Sequence, residues 1–357
     1  MKVVIINNHR KDFLGGSETQ CDLIAENLIY NNIDVVYYAI QGDSRNIFSS
    51  NYKISNLEFS LRSLYLNLKS DRPDIVYWRY GKNHLLKSVL ISKLLKIKFI
   101  FAVSGPGDYQ IFEKFSFKRK SYVKKVLNFF YIIYVNVINV FNYLGFFLCN
   151  SAIYQLELQT KRLPCNSSYL IYNSCQNNKE DFEWNKKYIV WVSNIKANKN
   201  PDFFLELAEK YKCSGFDFLM VGKIQDSFFN YIEDRQNHLP NFFYLGPKSL
   251  FETNAIIQNA SFLVHTCSPE GFPNVFIQAW NFGVPTVSLF YDPDFFISQN
   301  NLGFFSKEFS QFVTDVGILM NDHELLSQMG QNAISFSNNN FCIDKNIHKL
   351  ILVFNCL

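Results

Sequence analysis

Short apolar runs, each long enough for one buried strand and separated by room for a helix, constrain this chain more than any other feature. Val3 to Ile6, Val35 to Ile40, Asp74 to Trp78 and Lys98 to Val103 are runs of this kind, bounded by polar, Pro or Gly residues. Strands of a parallel sheet, buried on both faces, read this way. The first run is followed by turn-prone Asn7, Asn8 and Gly15-Gly16, then by the helical spacing of Leu23, Ile24, Leu28 and Ile29. The same grammar restarts near residue 188. Tyr188 to Val192 predicts a strand, Pro201 to Tyr211 a helix, and Phe216 to Val221, Phe242 to Gly246, Ala260 to Val264 and Thr286 to Leu289 continue the series. An α/β chain of two Rossmann-like halves is therefore expected, with ligand at the carboxyl ends of the strands in a cleft between them.

Length agrees with that division, because 357 residues suit two domains of the usual ~100 to 200 residues. The expected bounds are 1–170 and 171–340, with a terminal segment 341–357 in a position to cross back to the first domain. A hydrophobic fraction of 48% excludes a disordered chain, and a mean hydropathy of -0.06 excludes a multi-spanning membrane protein. The net charge of +4 leaves no chain-wide footprint for nucleic acid, so an anionic partner must be recognised locally. The 8 cysteines are scattered without a C-x-x-C pair, as in a reduced cytosolic protein without a zinc site. Met1 to His9 is too short an apolar run for a secretory leader. An intracellular protein is expected.

One segment stands apart. Lys114, Lys118, Arg119, Lys120, Lys124 and Lys125 crowd together without an acid and are interleaved with Phe115, Phe117 and Tyr122. The uncharged stretch Val126 to Leu148 follows. Its length permits a bilayer span, but Asn128, Asn136, Asn139 and Asn142 would each need partners in lipid. A segment lying on an anionic membrane surface, where each Lys or Arg contributes about 1 kcal/mol, is a second reading. A core helix with a solvated basic face is the third.

The chemistry-bearing residues lie in loops that follow strands. Gly15-Gly16-Ser17-Glu18 opens the first helix, where glycines let backbone N-H groups approach a phosphate, although such a pair also makes an ordinary turn. Neither G-x-G-x-x-G nor G-x-x-x-x-G-K-[ST] is present, so a dinucleotide dehydrogenase and a P-loop kinase have no anchor. Ser193 to Pro201 joins a strand end, the lysines Lys196 and Lys199, and a Pro-started helix. Thr266 to Trp280 forms another loop feeding a helix, with Glu270 at its mouth, Gly271 to Asn274 able to present backbone donors, and Gln278 one turn inside. His265 closes an apolar strand and fits either a satisfied structural histidine or a site residue.

These residues carry a resemblance. Glu270-Gly271-Phe272-Pro273-Asn274-Val275-Phe276-Ile277-Gln278-Ala279-Trp280, followed by Phe282-Gly283-Val284-Pro285-Thr286, resembles the signature of the family 4 retaining glycosyltransferases of group 1 type, which have the GT-B fold. Ser193 to Pro201 resembles their diphosphate loop, Gly15-Gly16-x-Glu18 their N-terminal glycine loop, and Ile171-Tyr172-Asn173 the start of their C-terminal domain. The match is dense from residue 171 to 295 and thin between 105 and 165.

The resemblance implies a hexosyltransferase that moves a sugar, with retention, from a UDP- or GDP-sugar to a glycan acceptor, with no metal and no cofactor. Glu270 would contact the transferred sugar and Lys199 the leaving diphosphate. Gly15, Gly16, Asn194, Lys196, Gly222, Leu245, Gly271, Phe272, Pro273 and Asn274 would line the donor site, with Gln278 on the ribose. A lipid-linked acceptor at the inner face of the cell membrane, in bacterial O-antigen, capsule or lipopolysaccharide assembly, is the expected setting. Three departures stand out. Gln278 replaces the second Glu of the signature, so restoring Glu is expected to tighten donor binding. Asn194 stands where many members have Arg. Ser104-Gly105-Pro106-Gly107-Asp108 lacks the N-terminal catalytic His. A donor-binding subunit without turnover, scaffolding a partner transferase, is the alternative.

Overall fold

The computed structural model describes residues 1–357 apart from 14, 44–47, 110–121, 161–164, 166 and 269, and the backbone only of 109, 122–129 and 160. The chain divides into two compact units, Met1–Asn173 with Asp344–Leu357, and Ser174–Ile343.

In the first unit the strands are β1 (Lys2–Asn7), β2 (Asp34–Ile40), β3 (Lys53–Leu57), β4 (Ile75–Trp78), β5 (Lys98–Ala102), β6 (Ser151–Tyr154) and β7 (Ser168–Leu170). They form one parallel sheet in the order β3-β2-β1-β4-β5-β6-β7. Alternation along β1 sends Val3 and Ile5 to one face and Val4 and Ile6 to the other. Both faces are covered, which explains the unbroken apolar runs. One face receives Leu64, Leu68, Leu85, Val89 and Phe146 from helices, and the other receives Leu28 together with Leu350, Val353 and Phe354 of the last helix, Ile343–Asn355.

The second unit holds β8 (Tyr188–Val192), β9 (Asp217–Val221), β10 (Phe242–Gly246), β11 (Phe262–His265), β12 (Thr286–Ser288) and β13 (Gly303–Phe305) in the order β10-β9-β8-β11-β12-β13. All pairs are parallel. The strand order reverses between β8 and β11, and at such a switch point the loops leaving two adjacent strands part to opposite sides and open a crevice.

The helix Tyr122–Leu148 in the first unit carries the apolar stretch noted in the sequence. Ile132, Asn139, Asn142, Phe146 and Cys149 are buried, a stripe of helical spacing that docks this element. Gly145 permits the approach, since a Cβ there would lie 2.8 Å from the Leu86 nitrogen. Asn139 and Asn142 thus face protein. The opposite side exposes Phe130, Tyr131, Tyr134, Val137, Phe141, Leu144 and Phe147. Residues Phe130–Leu148 are long and apolar enough to cross a membrane, with 28% of the window buried. Lys114, Lys118, Arg119 and Lys120 lie outside the described residues, as do the side chains of Lys124, Lys125 and Asn128.

Candidate functional site

The loops after β8 and β11, neighbours at the switch point, are stitched together by hydrogen bonds. The Ser268 N-H donates to the Asn198 carbonyl at 3.0 Å, and the Asn200 amide donates to the Thr266 carbonyl at 3.0 Å. The Thr266 hydroxyl donates to the Lys199 carbonyl at 2.7 Å and accepts from the Trp191 indole N-H at 2.9 Å. The buried Trp191 on β8 therefore sets the position of both loops.

At the seam, the Lys199 ammonium pairs with Oε2 of Glu270. Lys199 is nearly enclosed, its side chain 10% exposed, whereas that of Glu270 keeps 26%. On the other side of the carboxylate, Nε2 of His265 lies 3.5 Å from Oε1. Burial works toward the neutral acid, yet His265 and Lys199 outweigh it and bring the Glu270 carboxyl down to about 2. Burial likewise opposes charge on His265, but Cys267 and Glu270 lift its imidazole to about 9. The cluster holds a carboxylate between two cations, and its residual exposure lies on the carboxylate.

The remaining sequence-predicted positions surround this seam in different ways. Gly222 follows β9 at φ +149, and a Cβ there would lie 1.8 Å from the Ser193 carbonyl oxygen, so only glycine admits the loop Ser193 to Asn200 at this height. Its carbonyl accepts from the Tyr244 hydroxyl at 2.8 Å, beside half-buried Leu245 and Gly246. Asn194 is half-buried and Lys196 exposed. Gly271 and Asn274 are half-buried, while Phe272 and Pro273 are buried. The Phe272 ring sits among Trp280, Phe296 and Phe341, an anchor in the core that leaves only its backbone for a ligand. This loop enters the helix Asn274–Asn281, whose first N-H groups favour an anion.

Gln278, inside that helix, is 7% exposed and donates from Nε2 to Oδ1 of Asn254 at 2.8 Å. Asn254 spends its amide protons on the carbonyls of Gln176 and Asn178, at 3.1 and 2.8 Å. The interaction revises the expectation for this position: a glutamate would set a carboxylate against the Asn254 oxygen.

Gly15 and Gly16 lie in the first unit, where Gly15 precedes the helix Gly16–Tyr30. A Cβ on Gly15 would collide with the Glu18 carboxylate, so the glycine first provides clearance for that side chain. Burial raises the Glu18 carboxyl, partly offset by its backbone hydrogen bond and by Arg79. Asp108 closes the turn after β5, accepting from the Ser104 and Gly105 N-H groups at 2.6 and 3.2 Å. Buried Arg79, just past β4, donates to Asn173 at 2.9 Å. Arg79, Asn254 and Ser288 were not singled out from sequence, because single polar residues in apolar stretches carry no spacing signal.

One trio among the described residues has metal-ligand character: atoms of His265, Cys267 and Glu270 converge within 4.8 Å. A metal would need the His265 nitrogen unprotonated and would share Glu270 with the Lys199 ammonium.

Comparison with solved structures places the architecture. The chain is similar to sucrose-phosphate synthase from Thermosynechococcus elongatus (TM-score 0.77, 11% identity, covering 99% of this chain and 98% of that one). HepE from Anabaena, solved with UDP-glucose, superposes with TM-score 0.74 at 13% identity over 100% of both chains. A glycosyltransferase from Rickettsia africae gives 0.75 at 14%, covering 99% of this chain and 97% of that one. No curated protein matches the sequence. Two parallel α/β units of this kind make up the GT-B fold. Within the chain, residues 186–322 match the family described as Glycosyl transferases group 1, and that stretch lies in the second unit.

Proposed function

We propose that the protein is a retaining glycosyltransferase that takes a UDP- or GDP-sugar as donor and a lipid-linked glycan as acceptor. The observation that carries the reading is the Lys199–Glu270 pair at the β8/β11 switch point, flanked by the glycine-bearing loop into the helix Asn274–Asn281. In this reading the diphosphate takes Lys199 as its counter-charge, and Glu270 is released to accept hydrogen bonds from the sugar hydroxyls. As the anomeric C-O bond breaks, negative charge grows on the leaving diphosphate. Lys199 and the helix N-terminus stabilise it where it develops. Cationic neutralisation by the protein makes a metal unnecessary. The leaving phosphate oxygen takes the proton of the acceptor hydroxyl while the acceptor oxygen bonds to the anomeric carbon on that same face, which retains configuration.

The membrane side of the proposal rests on the exposed apolar face between Phe130 and Phe147, continued in sequence by the basic residues from Lys114 to Lys125. Such a helix lies in the plane of an anionic surface with its apolar side inward. The reading is of a protein at the inner face of the cell membrane, acting in assembly of a bacterial surface polysaccharide such as O-antigen or capsule.

The decisive experiment incubates purified protein with a panel of nucleotide sugars, reading thermal protection and release of UDP or GDP. Donor-dependent release that is lost in Glu270→Ala and Lys199→Ala supports transfer. Tight nucleotide binding without turnover on any lipid-linked acceptor would favour the scaffolding reading, which the uncharged Gln278 motivates.

A further inference from the structure

We infer that His265 is a positioning residue that fixes the orientation of Glu270 by an ion-pair contact, itself anchored by hydrogen bonds reaching back to the β12 strand end. The inference rests on the donor-site reading of Glu270 and adds a residue to it. These bonds start at the Ser288 hydroxyl, whose single proton goes to the Tyr291 carbonyl at 2.6 Å. Ser288 Oγ can therefore only accept from Nδ1 of His265, 3.3 Å away. With Nδ1 committed as a donor, Nε2 is the atom that faces Glu270 Oε1 as an ion pair at 3.5 Å, and Nε2 makes no hydrogen bond among the described residues.

Burial holds the ring in place. His265 is 3% exposed, and the Phe276 ring packs edge-on against it at 4.6 Å. The imidazole can neither rotate away nor reach water. Lys199 takes Oε2 and His265 faces Oε1, so the carboxylate plane is defined from two sides. When a diphosphate draws Lys199 away, His265 still holds the carboxylate toward the sugar. A buried histidine with one nitrogen anchored and the other aimed at a reactive group is the device by which outer residues set inner ones.

The test uses His265→Phe, which keeps ring volume and removes both nitrogens, His265→Gln, which restores a neutral donor, and Glu270→Gln. Calorimetric binding of UDP, UDP-glucose, GDP and GDP-mannose separates nucleotide from sugar. For the pair that binds, His265→Phe is expected to weaken the nucleotide sugar about tenfold while the free nucleotide changes less than about twofold. His265→Gln should recover part of the loss, and adding His265→Phe to Glu270→Gln should cost less than about twofold more. Equal losses for nucleotide and nucleotide sugar, or losses that multiply in the double variant, would overturn the inference. Urea midpoints of the two single variants and the double provide a donor-free arm: shifts smaller in the double than the summed singles support the coupling, and additive shifts refute it. If the native protein binds none of the four ligands, the donor reading fails while the urea arm still decides the His265–Glu270 coupling.

Discussion

Gln278 donates to Asn254, and Asn254 cannot turn to receive anything else without releasing the carbonyls of Gln176 and Asn178. The position that resembles a glutamate of the family signature is thus fitted to an amide. Gln278→Glu is expected to destabilise the second unit by about 1 to 2 kcal/mol, from carboxylate against carbonyl oxygen or from the two bonds lost on rotation. Urea denaturation measures this, and a variant as stable as the native protein would contradict the arrangement. Any gain in ribose affinity from the added charge is offset by the same repulsion.

Lys199→Met should leave the fold intact and slow nucleotide release by about a hundredfold or more, the usual loss when one stabilising donor is removed from a site of developing charge. Steady-state kinetics with the best donor of the panel reports it. A loss confined to KM, with kcat retained, would place Lys199 in ground-state binding alone.

The ion cluster makes stability depend on pH in two directions. The Glu270 carboxyl is depressed from 4.5 to about 2 in the folded protein, so its contribution is present above 4.5 and lost as pH falls toward 2. The His265 imidazole is raised from 6.5 to about 9, so its contribution is present below 6.5 and lost as pH rises toward 9. Cys267 and Glu270 are the titratable groups facing it, with Ser288 and Phe276 on the other sides. Unfolding free energies from urea denaturation should plateau between pH 4.5 and 6.5 and fall by about 1 to 2 kcal/mol on each side relative to Glu270→Gln. Parallel profiles for the two proteins would dismiss the coupling.

Gly222→Ala sets a methyl group on the Ser193 carbonyl in a backbone conformation that alanine disfavours. A stability loss above about 2 kcal/mol, with loss of nucleotide protection in a thermal shift, is expected. Retained protection would show that the loop after β8 tolerates displacement.

Exposed Tyr134, Phe141 and Phe147 changed together to Ser should weaken binding to anionic vesicles while leaving the melting temperature within a few degrees, since the three are largely exposed and Phe147 keeps only an edge contact with half-buried Tyr143. Replacing Lys118, Arg119, Lys120, Lys124 and Lys125 with Gln should abolish the salt dependence of that binding. Unchanged vesicle binding in both variants would remove the membrane proposal.

The parallel sheets were legible because strands buried on both faces leave continuous apolar runs, as in Val3 to Ile6 and Tyr188 to Val192. Strands β3 and β7, at the edges of their sheet, lie half in solvent, and Lys53 to Leu57 mixes polar with apolar residues. Such strands leave no run to read. Lys199 and Glu270, 71 positions apart, were linked by resemblance alone; what joins them physically is the parallel pairing of β8 with β11, which no local pattern encodes. His265 was open between two roles because its tautomer is set by Ser288, a residue from a strand not yet placed beside it.

The last helix, Ile343–Asn355, supplies Leu350, Val353 and Phe354 to the face of the first sheet that also carries Val3, Ile5 and Leu28. On the ribosome, that face is made early and its cover is completed late. The second unit must be synthesised in between, a delay of tens of seconds at roughly 5 to 20 residues per second. During that interval the nascent first unit presents an apolar sheet face only partly covered, by the helix Gly16–Tyr30, which makes it a natural client for chaperones that bind emerging chains. Truncation before residue 343 would make that transient state permanent.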